Sequence, residues 1–253
     1  MWPFKSASES ILDAEDEAWQ LDVWRWMFHV WGGAADFRLR ELVLPTHAAF
    51  PSLTAAKSCD PNAIFADVAR LARMDDQSYD VVEETYSQTD PDGASDAAAS
   101  DQVILYRQDE AGDAHRLTLR FALELAALKI APAQPPPPAG RGLEDCVTDL
   151  AAVYLGFGVF GVNAAIQSEW VPGMTRGMPG RAFGRSGFLK EERTTALREA
   201  DWTFALAMFL ALKEAPIEPL LDYLKADLEN PLRQAMAYLK SKPDIVSDVA
   251  RTE

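Results

Sequence analysis

Apolar and polar residues recur with a helical period along most of the chain. Residues 11–31, ILDAEDEAWQLDVWRWMFHVW, have an acidic first half and then two apolar stripes. Leu21, Trp24, Phe28 and Trp31 form one; Trp19, Val23, Trp26 and Val30 form the other. Acids suit a helix start, and two adjacent stripes predict a helix with a wide buried face, contact with a partner or membrane surface being the alternative. Gly32 and Gly33 end it. A strand is expected at 38–44, running into Pro45, and a helix at 61–74 with proline in its first turn. Segments 79–86 and 102–107, rich in Val, Ile and Tyr, predict two further strands on either side of a polar loop at 88–101. A strong helix follows at 115–130. The stretch PAQPPPPAG at 132–140 is a stiff connector rather than a packed element. Helices are then expected at 143–167, 190–214, 217–227 and 230–239, with a Gly- and Arg-rich loop at 172–187. The pattern gives a mainly α-helical α+β fold, with a small β-sheet from the 38–107 region, in one domain spanning 1–253.

Composition narrows the function. The 253 residues carry 24 basic and 39 acidic side chains, a net charge of -15. Nucleic-acid affinity is built largely from Lys and Arg contacts to phosphate, so a nucleic-acid partner is not expected and a basic protein partner is. The acidity is uneven, with 7 basic and 18 acidic residues among the first 100. The two cysteines, Cys59 and Cys146, define no disulfide framework. Together with an N-terminus lacking a secretory apolar region, they lead to the expectation of a cytoplasmic protein. The longest apolar run, 150–162, is 13 residues, short of the roughly 20 that a membrane-spanning helix needs.

Gly156, Gly158 and Gly161 spell GxGxxG, but within a helical segment rather than after a strand, so close helix packing is the preferred reading over a nucleotide site. The runs TLRFALELAALKI, EDCVTDLAAVYLGFGVFGVNAA and GRSGFLKEERTTALREADWTFALAMFLALKE together resemble a largely uncharacterised bacterial family with a zincin-type metallopeptidase pattern. That family carries HExxH on one helix and an acid followed by a TDLAAVFLGFG-like stretch on the next. In HExxH, two histidines one helical turn apart hold zinc, and the Glu between them acts on the metal-bound water.

The resemblance implies a zincin-like helical core and maps the motif to Leu123, Glu124, Leu125, Ala126 and Ala127. Both histidine positions are apolar, and only the Glu124 base position is kept. The acids of the second helix map to Asp145 and Asp149. Zinc is the family's cofactor, yet its ligands are absent and no cofactor is expected here. The chain's three histidines, His29, His47 and His115, are not paired at helical spacing. The resemblance therefore points to a non-catalytic pseudo-metallopeptidase scaffold acting as a protein-binding module of inhibitor, immunity or adaptor type. The alternative is a hydrolase using Glu124 with Asp145 or Asp149. Glu124 also stands one helical turn after Arg120 and would pair with it. Arg176, Arg181 and Arg185, in the glycine-rich loop, are binding candidates for an anion or a partner, or else pair with the acidic half.

Overall fold

A computed structural model describes residues 9–52, 60–74, 79–84, 103–138, 142–165, 167–172, 187–192 and 195–251, with 167–172 and 187–192 as backbone only. Helix α1 spans Ala14–Val30. The Asp13 carboxylate accepts from the Asp16 amide at 2.9 Å, and Glu15, Asp16 and Glu17 fill the first turn. Both apolar stripes are used. Trp24, Phe28 and Trp31 pack with Phe37 and Tyr154 into an aromatic cluster, ring centroids 5.0 to 6.1 Å apart.

The strand expected at 38–44 does not form. Residues Gly33–Leu39 make helix α2, and 40–44 run without regular structure. The helix wins because Asp36 and Arg40, one turn apart, pair at 2.9 Å while the Arg40 guanidinium also donates to the Ala72 carbonyl. Phe37 is buried against Tyr154 and Phe209. Helix α3 covers Pro61–Ala72, with Asp60 as its cap. The strands expected on either side of the polar loop do form. They are β1, Asp80–Glu83, and β2, Val103–Tyr106, which pair in parallel with Val81 opposite Ile104.

Helix α4, Ala114–Ile130, and helix α5, Glu144–Tyr154, pack against one another. The helix expected at 143–167 is in fact two, because the chain turns at Gly156 before α6, Gly158–Ala164. Gly156 has φ +106°, where a side chain is strained, and its missing Cβ makes room for the Glu41 carbonyl. The Val43 amide donates to the Gly156 carbonyl at 2.9 Å. Gly161 similarly lets the Trp202 ring lie directly on α6. Gly161 serves the close helix packing expected of it, whereas Gly156 sits at the break between α5 and α6 and is approached by the irregular backbone of residues 41–43.

The 167–192 region departs from expectation. Gln167–Pro172 (β3) and Gly187–Glu192 (β4) form an antiparallel pair, so the helix stops at Ala164 and the next begins only at Glu199. That next helix, α7, Glu199–Leu212, is buried on every side from Asp201 to Leu210, as expected of a helix apolar all round. It contacts α5, α6, α9 and α10 and is the centre of the core. The helix expected at 217–227 shrinks to α8, Glu218–Leu221. Helix α9, Glu229–Ser241, matches its pattern, and α10, Pro243–Ala250, is an addition. The fold is mainly α-helical α+β. Among the described residues no helix is long and apolar enough to cross a membrane.

Candidate functional site

Helix α4 begins at Asp113, whose carboxylate accepts from the amides of His115 and Arg116 at 2.9 and 3.2 Å. Its apolar face, including Leu117, Phe121 and Leu125, is fully buried. Arg120, Leu123, Glu124 and Ala127 lie on the side toward α5. On α5, Asp145, Thr148 and Asp149 fall at spacings of three and four and so share one face. The two faces, with Thr195 and Ala196 from the segment before α7, enclose a pocket of about 540 Å³.

Three of the six candidate residues therefore meet: Glu124, Asp145 and Asp149 line one cavity. Leu123 and Ala127, which the HExxH correspondence puts at the histidine positions, line the same cavity. Arg176, Arg181 and Arg185 lie outside the described residues. His115 is on another cavity, with its ring against Phe160 at 5.5 Å.

The carboxylates are held differently. Glu124 pairs with Arg120 at 2.9 Å, and Arg120 also donates to the Leu105 carbonyl of β2 at 3.2 Å, so this cation is fixed between strand and pocket. Asp145 is exposed at the start of α5. Asp149 is only 3% exposed, and its Oδ2 accepts the Leu197 amide at 2.8 Å. Burial pushes its pKa up to about 7. The amides of Leu197 and Ala196 oppose that rise, and the nearby Asp145 charge adds to it. Near neutral pH Asp149 can thus hold or release a proton.

Zinc does not fit this donor set. A zincin centre needs two imidazoles on α4, and Leu123 and Ala127 offer only hydrocarbon. Glu124 is committed to Arg120 and Asp149 to a backbone amide. Among the described residues no group of three or more His, Cys, Asp or Glu is placed to hold a metal ion.

The wall formed by Thr195, Ala196 and Leu197 was not foreseen from the sequence. The one local signal is the acid Asp201 three residues after Arg198, which closes a capping box at the start of α7 and so fixes where the preceding segment lies. No family model matches this chain, and no curated protein or solved structure is significantly similar to it.

Proposed function

We propose that this chain is a non-catalytic scaffold of zincin-like descent that works by binding another protein. The observation that carries the reading is the composition of the α4–α5 pocket. The base position, both histidine positions and both second-helix acids line one cavity, as the resemblance implies, yet the imidazole positions are hydrocarbon and Glu124 is neutralised by Arg120. Such a cavity keeps the helix pair and loses the means to hold the metal. Binding then falls to surfaces, and the acidic N-terminal half favours a basic partner steered by long-range charge.

The direct test is reconstruction. Leu123→His with Ala127→His should create a zinc site with Asp145 as an oxygen ligand, read as zinc retained through gel filtration, while the wild type retains none. A well-folded double variant that binds no zinc would overturn the zincin-like geometry. Complex formation should weaken with salt and with charge reversal at the exposed Glu15 and Glu41; indifference to both would overturn the charge argument.

One observation favours a second reading. Asp149, with its pKa near 7, could serve as a general acid or base in a carboxylate-based hydrolase alongside Glu124 or Asp145. That reading requires turnover that Asp149→Asn and Glu124→Gln abolish without unfolding the protein.

A further inference from the structure

The connector between α4 and α5 lies against α1. The Trp26 indole N–H donates to the Pro135 carbonyl at 2.7 Å, and the Trp19 indole N–H donates to the Pro138 carbonyl at 3.2 Å. The two repeats match. Three residues of polyproline II advance about 9 Å, and the seven residues from Trp19 to Trp26 advance about 10.5 Å along an α-helix. Two carbonyls three residues apart in the proline run therefore meet two tryptophans on one stripe of α1, with Val23 between them.

Proline carbonyls have no N–H neighbours competing for them within the run, and fixed φ angles leave little chain entropy to lose on docking. Tryptophan N–H groups over an aromatic face are the usual partners of such segments. The strap itself is superficial: Gln134, Pro135, Pro136 and Pro138 are exposed, whereas Trp26 beneath is buried.

We propose that Trp19 and Trp26 form a polyproline-recognition groove, occupied in cis by the proline run 135–138, and that a partner's proline-rich segment binds there by displacing this strap. Orientation refines the ligand. Pro135 sits at Trp26 and Pro138 at Trp19, so the strap runs antiparallel to α1 and its C-terminal end heads toward the first turn of that helix, where Glu15 is exposed while Asp16 pairs with Arg198 and Glu17 accepts from the Tyr238 hydroxyl. The preferred ligand is a proline run followed by a basic residue. The chain's own sequence has this form, PPPPAGR, ending at Arg141.

This inference supplies a surface and a partner class for the protein-binding reading, and it fails separately from that reading. Zinc or turnover at the α4–α5 pocket would leave the groove standing, and an inert groove would leave the pocket's chemistry untouched.

The test uses the full chain and an acetylated peptide of residues 133–141. In a variant with Pro135→Ser, Pro136→Ser, Pro137→Ser and Pro138→Ser, calorimetry should give saturable binding. A strap closed nine-tenths of the time weakens the apparent affinity of the wild type about tenfold, so the variant should bind about tenfold more tightly. Adding Trp26→Phe, which removes the donor and keeps an aromatic ring, should abolish that gain. No saturable binding by the folded variant, or equal affinity with Trp26→Phe, would overturn the proposal.

Should the strap variant fail to fold, the wild type labelled with 5-fluorotryptophan provides the readout. Excess peptide should shift the Trp19 and Trp26 fluorine resonances and leave that of the fully buried Trp202 in place. Unmoved resonances would overturn the proposal. So would dimerisation of the wild type with no response to peptide, which would mean strap exchange between two copies.

Discussion

Asp149→Asn should change the sign of its effect on stability with pH. Unfolded, Asp149 titrates at its ordinary 3.8, whereas folded it titrates at about 7 because burial disfavours the charged form. A pKa raised on folding contributes stability that is fully present below the unfolded value and is lost as pH rises through the folded one. The gap of about 3 between these values, at about 1.4 kcal/mol each, makes wild-type folding about 4 kcal/mol less favourable at pH 8 than at pH 3 on this account alone. Asparagine has no such dependence. It keeps one acceptor for the Leu197 amide but turns an N–H₂ toward the second amide, a pH-independent cost of about 1–2 kcal/mol. The variant is therefore expected to be slightly less stable than wild type near pH 4 and about 2–3 kcal/mol more stable near pH 8. Urea unfolding of both proteins across pH 4–8, followed by tryptophan fluorescence, gives the difference directly and cancels the background titration of the other acids. A difference that stays constant across the range would mean that Asp149 ionises as if in water, and would refute the burial of its carboxylate.

Other substitutions test the packing. Gly161→Ala places a methyl group into the Trp202 ring and should cost about 1–3 kcal/mol or more by calorimetry. Gly156→Ala meets both the Glu41 carbonyl and a left-handed φ, and should lower Tm further than Gly161→Ala does; equal or smaller loss would deny the close approach. Tyr154→Phe removes the hydroxyl that donates to Asp36 at 3.1 Å and should cost about 1 kcal/mol, read from the denaturation midpoint. Glu124→Gln breaks a half-exposed ion pair and should change stability by less than about 1 kcal/mol; a large loss would show that Arg120 depends on it as a buried partner.

Where one period dominated, the sequence was readable. Helices α1, α3 and α4 follow runs with clear apolar stripes and capping aspartates, α9 follows an apolar stripe alone, and β1 and β2 follow two β-branched segments. The errors fall where tertiary contacts outweigh local pattern. Residues 33–39 form a helix through Asp36, Arg40 and an aromatic cluster that joins the preceding α1 to the distant α5 and α7. The break at Gly156 is set by the backbone of residues 41–43, which no local window contains. The β3–β4 pair forms across an intervening stretch of 14 residues, 173–186, and in isolation only residue 167 on one side and 190–192 on the other read as helix.

The pocket was partly legible. Glu124, Asp145 and Asp149 come together because α4 and α5 are consecutive and pack on one another. The amide that Asp149 accepts belongs to Leu197, 48 residues away, and this contact leaves no mark near Asp149 in the chain. The docking of the proline run on Trp19 and Trp26 was equally hidden. A connector of fixed stiffness reads as a spacer until the stripe it covers is in place.

Metal content bears most directly on the proposal that the α4–α5 pair is a zincin-like scaffold without a metal ion. Elemental mass spectrometry on untagged protein, purified without chelator and exchanged into metal-free buffer, should find zinc and other transition metals far below one per chain in a folded sample. Near-stoichiometric zinc would contradict the account and require donors from elsewhere in the chain, since Leu123 and Ala127 offer none.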